Sequence, residues 1–215
     1  MCCRYYMEDS PKLRPIVEAA KRSKRYLDHI AKIPSPLTVG DEVFPGALVP
    51  VIASSRSGKK SVYPMLWGYH VEGVERLIVN ARSESAAEKK TFRDSWAIHR
   101  CIIPASWYYE WSRVRTPNGK TRPADKYRIM PKGENETDLT WLCGLYRMEE
   151  DYPHFVVLTR PPGEGITFIH DRMPFILPEK EVDRWIDPNV NPHMLLESAL
   201  TDMIAEKVSG PQPGQ

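Results

Sequence analysis

Beyond Pro34 the chain is dominated by short apolar runs rather than long helical stripes. Leu48–Ala53, Val62–Trp67, Arg76–Asn80, Arg100–Ile103, Lys126–Met130, Leu139–Tyr146 and Phe155–Thr159 are rich in Val, Ile and Leu. Turn formers, among them Ser57-Gly58 and Asn118-Gly119, bound most of these runs, which predicts strands. Before Pro34 the period is helical. Ser10 can cap, Pro11 suits the first helical position, and Leu13, Ile16, Val17, Ala20, Leu27 and Ile30 make an apolar stripe as far as Ala31. The opposite face carries Lys12, Arg14, Lys21, Arg22, Lys24, Arg25 and Lys32 against Glu18 and Asp28, which suits a solvated face or one that meets phosphate. Helical pattern returns over Ser83–Ala97, Glu179–Ile186 and His193–Val208. This order is not a repeated βαβ alternation. It predicts an α+β fold: a curved, mostly antiparallel, barrel-like sheet with peripheral helices. One domain is expected over residues 1–208, with a disordered Gly/Pro/Gln-rich tail at 209–215.

Composition narrows the role. A chain of 215 residues can bury a core without staples. Its formal net charge of +2 means that contact with nucleic acid must come from a local patch. No run approaches the roughly 18 apolar residues of a membrane span, and the polar start, Met1 to Lys12, does not read as a secretory signal. Cys2, Cys3, Cys101 and Cys143 form neither a CxxC pair nor a zinc-finger spacing, so a reducing compartment is expected. That means the cytoplasm, with nucleoid association, in a bacterium, or the nucleus in a eukaryote. No phosphate-cradling glycine loop or dinucleotide fingerprint is present, so no cofactor and no metal are expected, and a monomer is the simplest state.

Cys2 carries the most distinctive chemistry. If Met1 is removed, a thiol with an ordinary pKa of about 8.5 and an α-amine of about 8 sit on adjacent carbons. The amine can form an imine with an aldehyde, and the sulfur can then close a five-membered thiazolidine. Three further clusters accompany it. Asn80-Ala81-Arg82-Ser83-Glu84 ends a strand-like run, where Arg82 can fix a phosphate bidentately or, more plainly, help tie down a helix start capped by Ser83. Glu110 sits within Pro104–Trp111, a dense aromatic run that would desolvate it and favour its neutral form, as a proton shuttle requires. His170, in Ile169-His170-Asp171-Arg172-Met173-Pro174, is expected to titrate near working pH. Each also has a plain structural reading as a turn, a core or a hydrogen-bonded residue.

Together, Met-Cys at the start, Trp67-Gly68, Asn80-Ala-Arg-Ser-Glu, the stretch ending Tyr-Glu-Trp at 111, and Ile-His-Asp-Arg-Met-Pro resemble the SRAP family, the SOS-response-associated peptidases. The motifs occur in the family's order over roughly residues 1 to 180. The resemblance implies a catalytic set of Cys2, Asn80, Glu110 and His170. It also implies covalent capture of abasic sites in single-stranded DNA through a thiazolidine, with lyase and self-processing activity in the DNA damage response. By the same resemblance, Arg4, Arg82 and Arg172 would face phosphate, Thr159 would line the site, and Pro45 and Trp67 would form an apolar wedge against stacked bases. The chain departs from the pattern at Cys3, where glycine is usual, at Trp107, where a small residue is expected beside Glu110, and after about Asn189. Two other readings stand beside this one: a cysteine peptidase or hydrolase using Cys2, and a non-catalytic reader of single-stranded or modified DNA.

Overall fold

The computed structural model describes residues 3–32, 36–133 and 139–208. Cys2 and the tail at 209–215 therefore lie outside the described residues. In chain order the strands are β1 (Tyr5–Met7), β2 (Asp41–Val43), β3 (Leu48–Ser54), β4 (Lys60–Trp67), β5 (Tyr69–Val71), β6 (Val74–Ile78), β7 (Asn80–Arg82) and β8 (Arg100–Ala105). They continue with β9 (Trp107–Arg115), β10 (Thr121–Pro131), β11 (Thr140–Glu149), β12 (Tyr152–Arg160), β13 (Met173–Pro174), β14 (Ile176–Leu177) and β15 (Met203–Lys207). The α-helices are α1 (Arg14–Lys21), α2 (Lys24–Lys32), α3 (Arg93–Ile98) and α4 (Val182–Ile186).

The order β12-β4-β3-β8-β11 returns to β12 and closes a barrel of five strands. Only its β12–β4 seam is parallel. Closure removes the exposed edges that open sheets must protect. It also explains why these strands were legible as near-continuous apolar runs: β3 and β8 are buried along almost their whole length. Gly144 on β11 is part of that packing. A Cβ there would come within 2.6 Å of Ile103 Cδ1 and 2.8 Å of the Val156 carbonyl.

A second sheet, ordered β15-β10-β9-β1-β2, lies alongside. The first strand of the chain is thus interior to a sheet, bonded to β2 on one side and β9 on the other. On β9, Tyr108 and Glu110 point inward and are buried, while Trp107, Tyr109 and Trp111 alternate to the other face. Trp107 stacks on Tyr6 at 4.6 Å with the rings parallel to 1°, and the Arg128 guanidinium sits 5.3 Å above its ring. This departure from the family pattern consequently does not reshape the wall beside Glu110, because it belongs to the opposite face of the strand.

Three helical expectations are corrected. The single helix expected over Ser10–Ala31 is two, because Ser23 serves both. Its backbone N–H and hydroxyl donate to the Ala20 carbonyl, closing α1, and its oxygen accepts from the Tyr26 N–H, capping α2. Ser83–Ala97 is turns until α3, since the Ser83 N–H donates to the Thr159 carbonyl and holds that stretch to β12 instead of starting a helix. His193–Val208 is a 3-10 segment, Pro192–Ser198, followed by β15, which pairs antiparallel with β10 from Met203 to Lys207. Helix-forming residues there yield to an open strand edge. The expected helix over Glu179–Ile186 is present as a 3-10 turn leading into α4.

Candidate active site

The candidate site lies where the barrel and the second sheet meet, and each expected side chain can be traced to the element that carries it. Asn80 begins β7, which runs parallel to β12 in the register Val157↔Asn80, Leu158↔Ala81 and Thr159↔Arg82. Alternation half-buries Asn80, buries Ala81 and leaves Arg82 exposed. From the other sheet, β1 brings Cys3 to the same place, with its sulfur 4.0 Å from Asn80 Nδ2. The Tyr109 N–H donates to the Arg4 carbonyl at 2.9 Å, continuing the β1–β9 register so that Cys3 falls opposite Glu110. Burial pushes the Cys3 thiol up, and the Glu110 charge adds to the shift. Cys3 therefore stays protonated at neutral pH and is a weak competing nucleophile.

Glu110 is 5% exposed. Burial raises its carboxyl above the ordinary value, as its aromatic setting predicts. Burial thus favours the protonated form over the carboxylate.

His170 is 8% exposed, at the end of the loop before β13. Arg113 Nη2 lies 3.1 Å from His170 Nε2, and Asp171 Oδ1 lies 2.7 Å from Nδ1. A guanidinium has no lone pair to offer, so the Arg113 contact needs a bare Nε2, whereas the Arg172 N–H donates to Nδ1 at 3.1 Å and needs a bare Nδ1; a neutral ring satisfies one of the two at a time. Burial above all, with the Arg113 cation adding to it, lowers the His170 pKa to about 4. The expectation that His170 titrates near working pH is thus corrected: the imidazole is neutral at that pH.

The structure also revises the expected DNA contacts. Arg172 is 9% exposed; its guanidinium forms a bidentate pair with Glu84, at 2.5 and 2.8 Å, and reaches the Thr159 carbonyl at 2.6 Å. It is engaged in tying the 170s loop to β12 rather than open to a phosphate. Thr159 is fully buried beneath it, donating to the Ala81 carbonyl at 3.3 Å. Trp67 is fully buried too. It packs on Tyr5 at 5.1 Å and Phe155 at 6.2 Å, and its Nε1 donates to the Val79 carbonyl. No face of this indole is open to a base.

What is exposed instead is the turn above Trp67, formed by Phe44, at 45% exposure, and Pro45. The Gly46 N–H fastens the turn to the Trp67 carbonyl at 2.7 Å. Arg4 lies against Phe44 and Trp111, 4.3 and 5.0 Å from the ring centroids, and pairs with Glu42 at 3.2 Å. Phe44 and Arg113 were missed in the sequence. Phe44 had only its neighbour Pro45 as a signal, and Arg113 had only its distance of three residues from Glu110.

A second cluster, His70, Glu149 and His154, brings its ligand-type atoms within 4.8 Å of one another. Arg147 donates twice to Glu149 Oε1, His70 Nδ1 meets Oε2 at 2.7 Å, and His154 Nδ1 faces the Gly68 carbonyl at 2.7 Å. With a guanidinium at its hub and His154 Nδ1 bound to carry a proton, the cluster suits an ionic tie between strands better than a cation site. A concavity of about 1220 Å³ lies beside it, lined by Lys24, Arg25 and Arg147 as well as both histidines, and does not include Glu110 or His170. No helix among the described residues is long and apolar enough to cross a membrane.

A raised glutamic acid and an amide meet beside the first strand of the second sheet, where it lies against the barrel. The chain belongs to the SOS response associated peptidase (SRAP) family, whose model matches residues 1–210 and so continues past Asn189, where the motif resemblance faded. Among curated relatives it is similar to the abasic site processing protein YobE of Bacillus subtilis (strain 168), at 37% identity over 148 residues, 64% of each chain. It is also similar to the abasic site processing protein YoqW of the same organism, at 34% over 145 residues, 64% of this chain and 62% of that one. The chain thus spans less than two thirds of the length of these relatives. A crystal structure of a protein from Bacteroides thetaiotaomicron shares the fold with a TM-score of 0.69 at 21% identity, over 96% of this chain and 92% of that one.

Proposed function

We propose that this chain is an abasic-site processing protein that grips single-stranded DNA and captures the ring-opened sugar on Cys2, once Met1 is removed. The α-amine of Cys2 attacks the aldehyde carbon, and water leaves to give an imine. The thiol sulfur then adds to the imine carbon while the nitrogen takes up a proton, closing the thiazolidine. Glu110, its carboxyl raised above the ordinary value by burial, delivers and recovers the protons of these steps. His170, a neutral imidazole, assists sugar ring opening, and Asn80 holds the N-terminal backbone or the sugar. Strand scission at the lesion and self-removal of Met1 belong to the same reading. Exposed Arg82, together with Arg4 and the Phe44–Pro45 turn, forms the grip on the strand.

The observation that carries this reading is the strand β1. Pinned between β2 and β9, it delivers position 3 to 4.0 Å from Asn80 and opposite Glu110.

The deciding experiment is incubation with a single-stranded oligonucleotide bearing one abasic site, followed by a denaturing gel. Wild type is expected to give an adduct that survives heating, and Cys2→Ala none. Cys2→Ser, which keeps the amine, should give a band only when an imine is trapped with borohydride. Intact mass should place the mature N-terminus at Cys2. An adduct undiminished in Cys2→Ala, or none from the processed wild type, would overturn the proposal.

A further inference from the structure

Resting on that reading, we propose that the β9–β10 hairpin is a second grip on the single strand. Its cations hold the phosphates of the nucleotides that flank the lesion on one side, and Phe168 at its root stacks a base.

The two strands outrun the sheet that carries them. β1 bonds to β9 at Trp107 and Tyr108, and β15 bonds to β10 from Tyr127 to Pro131. Residues 113–115 and 121–123 are left as a two-stranded ribbon, exposed at every position. The Gly119 N–H donates to the Thr116 carbonyl at 2.9 Å and the Thr116 N–H to the Lys120 carbonyl at 2.8 Å. Gly119 takes the left-handed conformation, φ +78°, that closes this turn. At the root the β9–β10 pairing slips between Pro123 and Lys126, leaving Ala124 and Asp125 together against Ser112. Ser112 Oγ accepts from the Asp125 N–H at 3.1 Å and fixes the irregularity. A bulge of this kind adds twist and redirects side chains. It brings Arg113 Nη2 to 3.1 Å from His170 Nε2, so the ribbon springs from the edge of the candidate site. From Arg113 to the tip at Asn118 it reaches roughly 17 Å.

The ribbon's charge is one-sided. Residues 112–124 hold Arg113, Arg115, Lys120 and Arg122 and no acid, a local charge of +4 in a chain whose formal net charge is +2. Cations commonly keep exposed strands from pairing with another chain, but acids would serve that purpose equally, and this stretch has none. At the base of the sheet the cations are committed: Arg4 and Lys126 to Glu42, Arg128 to Glu206. Among the described residues Arg115, Lys120 and Arg122 have no ion pair. The register sets Arg115 opposite Thr121 and Arg122 opposite Val114, so cations lie on both faces. Arg113 and Arg115 share a face about 7 Å apart along the strand, a spacing suited to successive phosphates. Phe168 adds what a bare polyanion would not need. It is 61% exposed and packs edge-on against Tyr127 of β10, with ring centroids 5.7 Å apart. Cations beside an open aromatic ring fit a single strand, whose bases are free to stack.

The test uses undamaged oligo(dT), which offers phosphates and bases but no aldehyde, and reads affinity by fluorescence anisotropy. The triple variant Arg115→Ala, Lys120→Ala, Arg122→Ala, with a Tm matching wild type, should bind roughly 10- to 100-fold more weakly at low salt. Its slope of log K against log salt should be shallower by about 2, for three phosphate contacts at roughly 0.7 each. The double variant Arg115→Lys, Arg122→Lys keeps the charge and should keep the slope. Phe168→Ala should weaken binding about fivefold or more with the slope unchanged. As the strand is lengthened, wild-type affinity should go on rising for roughly five nucleotides after that of the triple variant has levelled off, the ribbon's reach at about 3.4 Å per nucleotide. On a saturating abasic strand the triple variant should crosslink at the wild-type rate, because the chemistry is untouched. Equal affinity and slope in wild type and the triple variant, or one strand length at which both level off, would refute the grip. Binding that depends on the ribbon in a wild type that forms no adduct would uphold the grip and sink the capture chemistry alone.

Discussion

On the barrel side of the site Glu84 faces the Arg172 guanidinium; on the sheet side Glu110 is enclosed between strands. The same side chain meets two environments. Pairing with Arg172 holds the Glu84 carboxyl down at about 2, whereas burial lifts that of Glu110. The contrast separates a charged fastening from a carboxyl held toward its neutral form. Glu84 is ionised at any working pH and ties its turn to the 170s loop, while burial shifts Glu110 toward its protonated form. Environments that push like groups apart are a way of recognising acid–base assignments.

The largest effect expected from breaking the contrast is on rate. Glu110→Gln, nearly isosteric but unable to exchange a proton, should slow adduct formation by roughly 10² to 10⁴-fold in single-turnover gels; an unchanged rate would remove Glu110 from the chemistry. Next comes stability. Arg172→Ala leaves the buried Thr159 carbonyl without its strongest donor and frees Glu84, which should cost about 2 kcal/mol and lower Tm by roughly 4–8 °C.

Smaller, but more diagnostic, are the two glutamates' opposite pH signatures. The depressed Glu84 contributes stability that is present above its ordinary 4.5 and lost as pH falls toward about 2. Because its side chain is 47% exposed, solvent screening limits this to about 1 kcal/mol or less. Glu84→Gln should flatten that acid limb in denaturant titrations. Raised Glu110 works the other way. Its stabilising state is the protonated one, present below 4.5 and lost as pH rises through its elevated value. Glu110→Gln should therefore be at least as stable as wild type at neutral pH, and a fall in stability would point to a structural role for the carboxylate. The smallest effect sharpens the division between Arg172, which fastens, and Arg82, which is exposed and proposed to grip the strand. Arg82→Ala should weaken non-covalent binding to undamaged single strands and reduce the slope of log K against log salt by about 1.

How much of this was legible follows from the same physics. The barrel strands announced themselves because both faces of β3, β8 and β12 are buried, so the apolar runs are nearly unbroken. β9 was read as a motif and not as a strand, since it alternates Trp, Tyr, Glu and Arg and packs aromatic rings on both faces. β15 looked helical because Met203, Ala205, Glu206 and Lys207 favour helices, and only the open edge of β10, distant in sequence, overrides that preference. In the site, Asn80, Glu110 and His170 were expected from motifs, and Asn80 and Glu110 do lie on either side of Cys3. Burial was the missing quantity for Trp67, Thr159 and Arg172, which a linear sequence presents like any exposed aromatic, hydroxyl or cation. Arg113 could not be foreseen, because a bulge on the neighbouring strand aims it.

The interior position of β1 has a temporal consequence. Residues 5 and 6 bond to residues 107 and 108 as well as to β2, so β1 lacks its β9 neighbour until more than half of the protein has left the ribosome. An aminopeptidase working at the exit tunnel would meet this end unprotected, whereas any trimming by the site itself must wait for β9. Comparing nascent chains stalled before and after residue 115 would tell which of the two acts first.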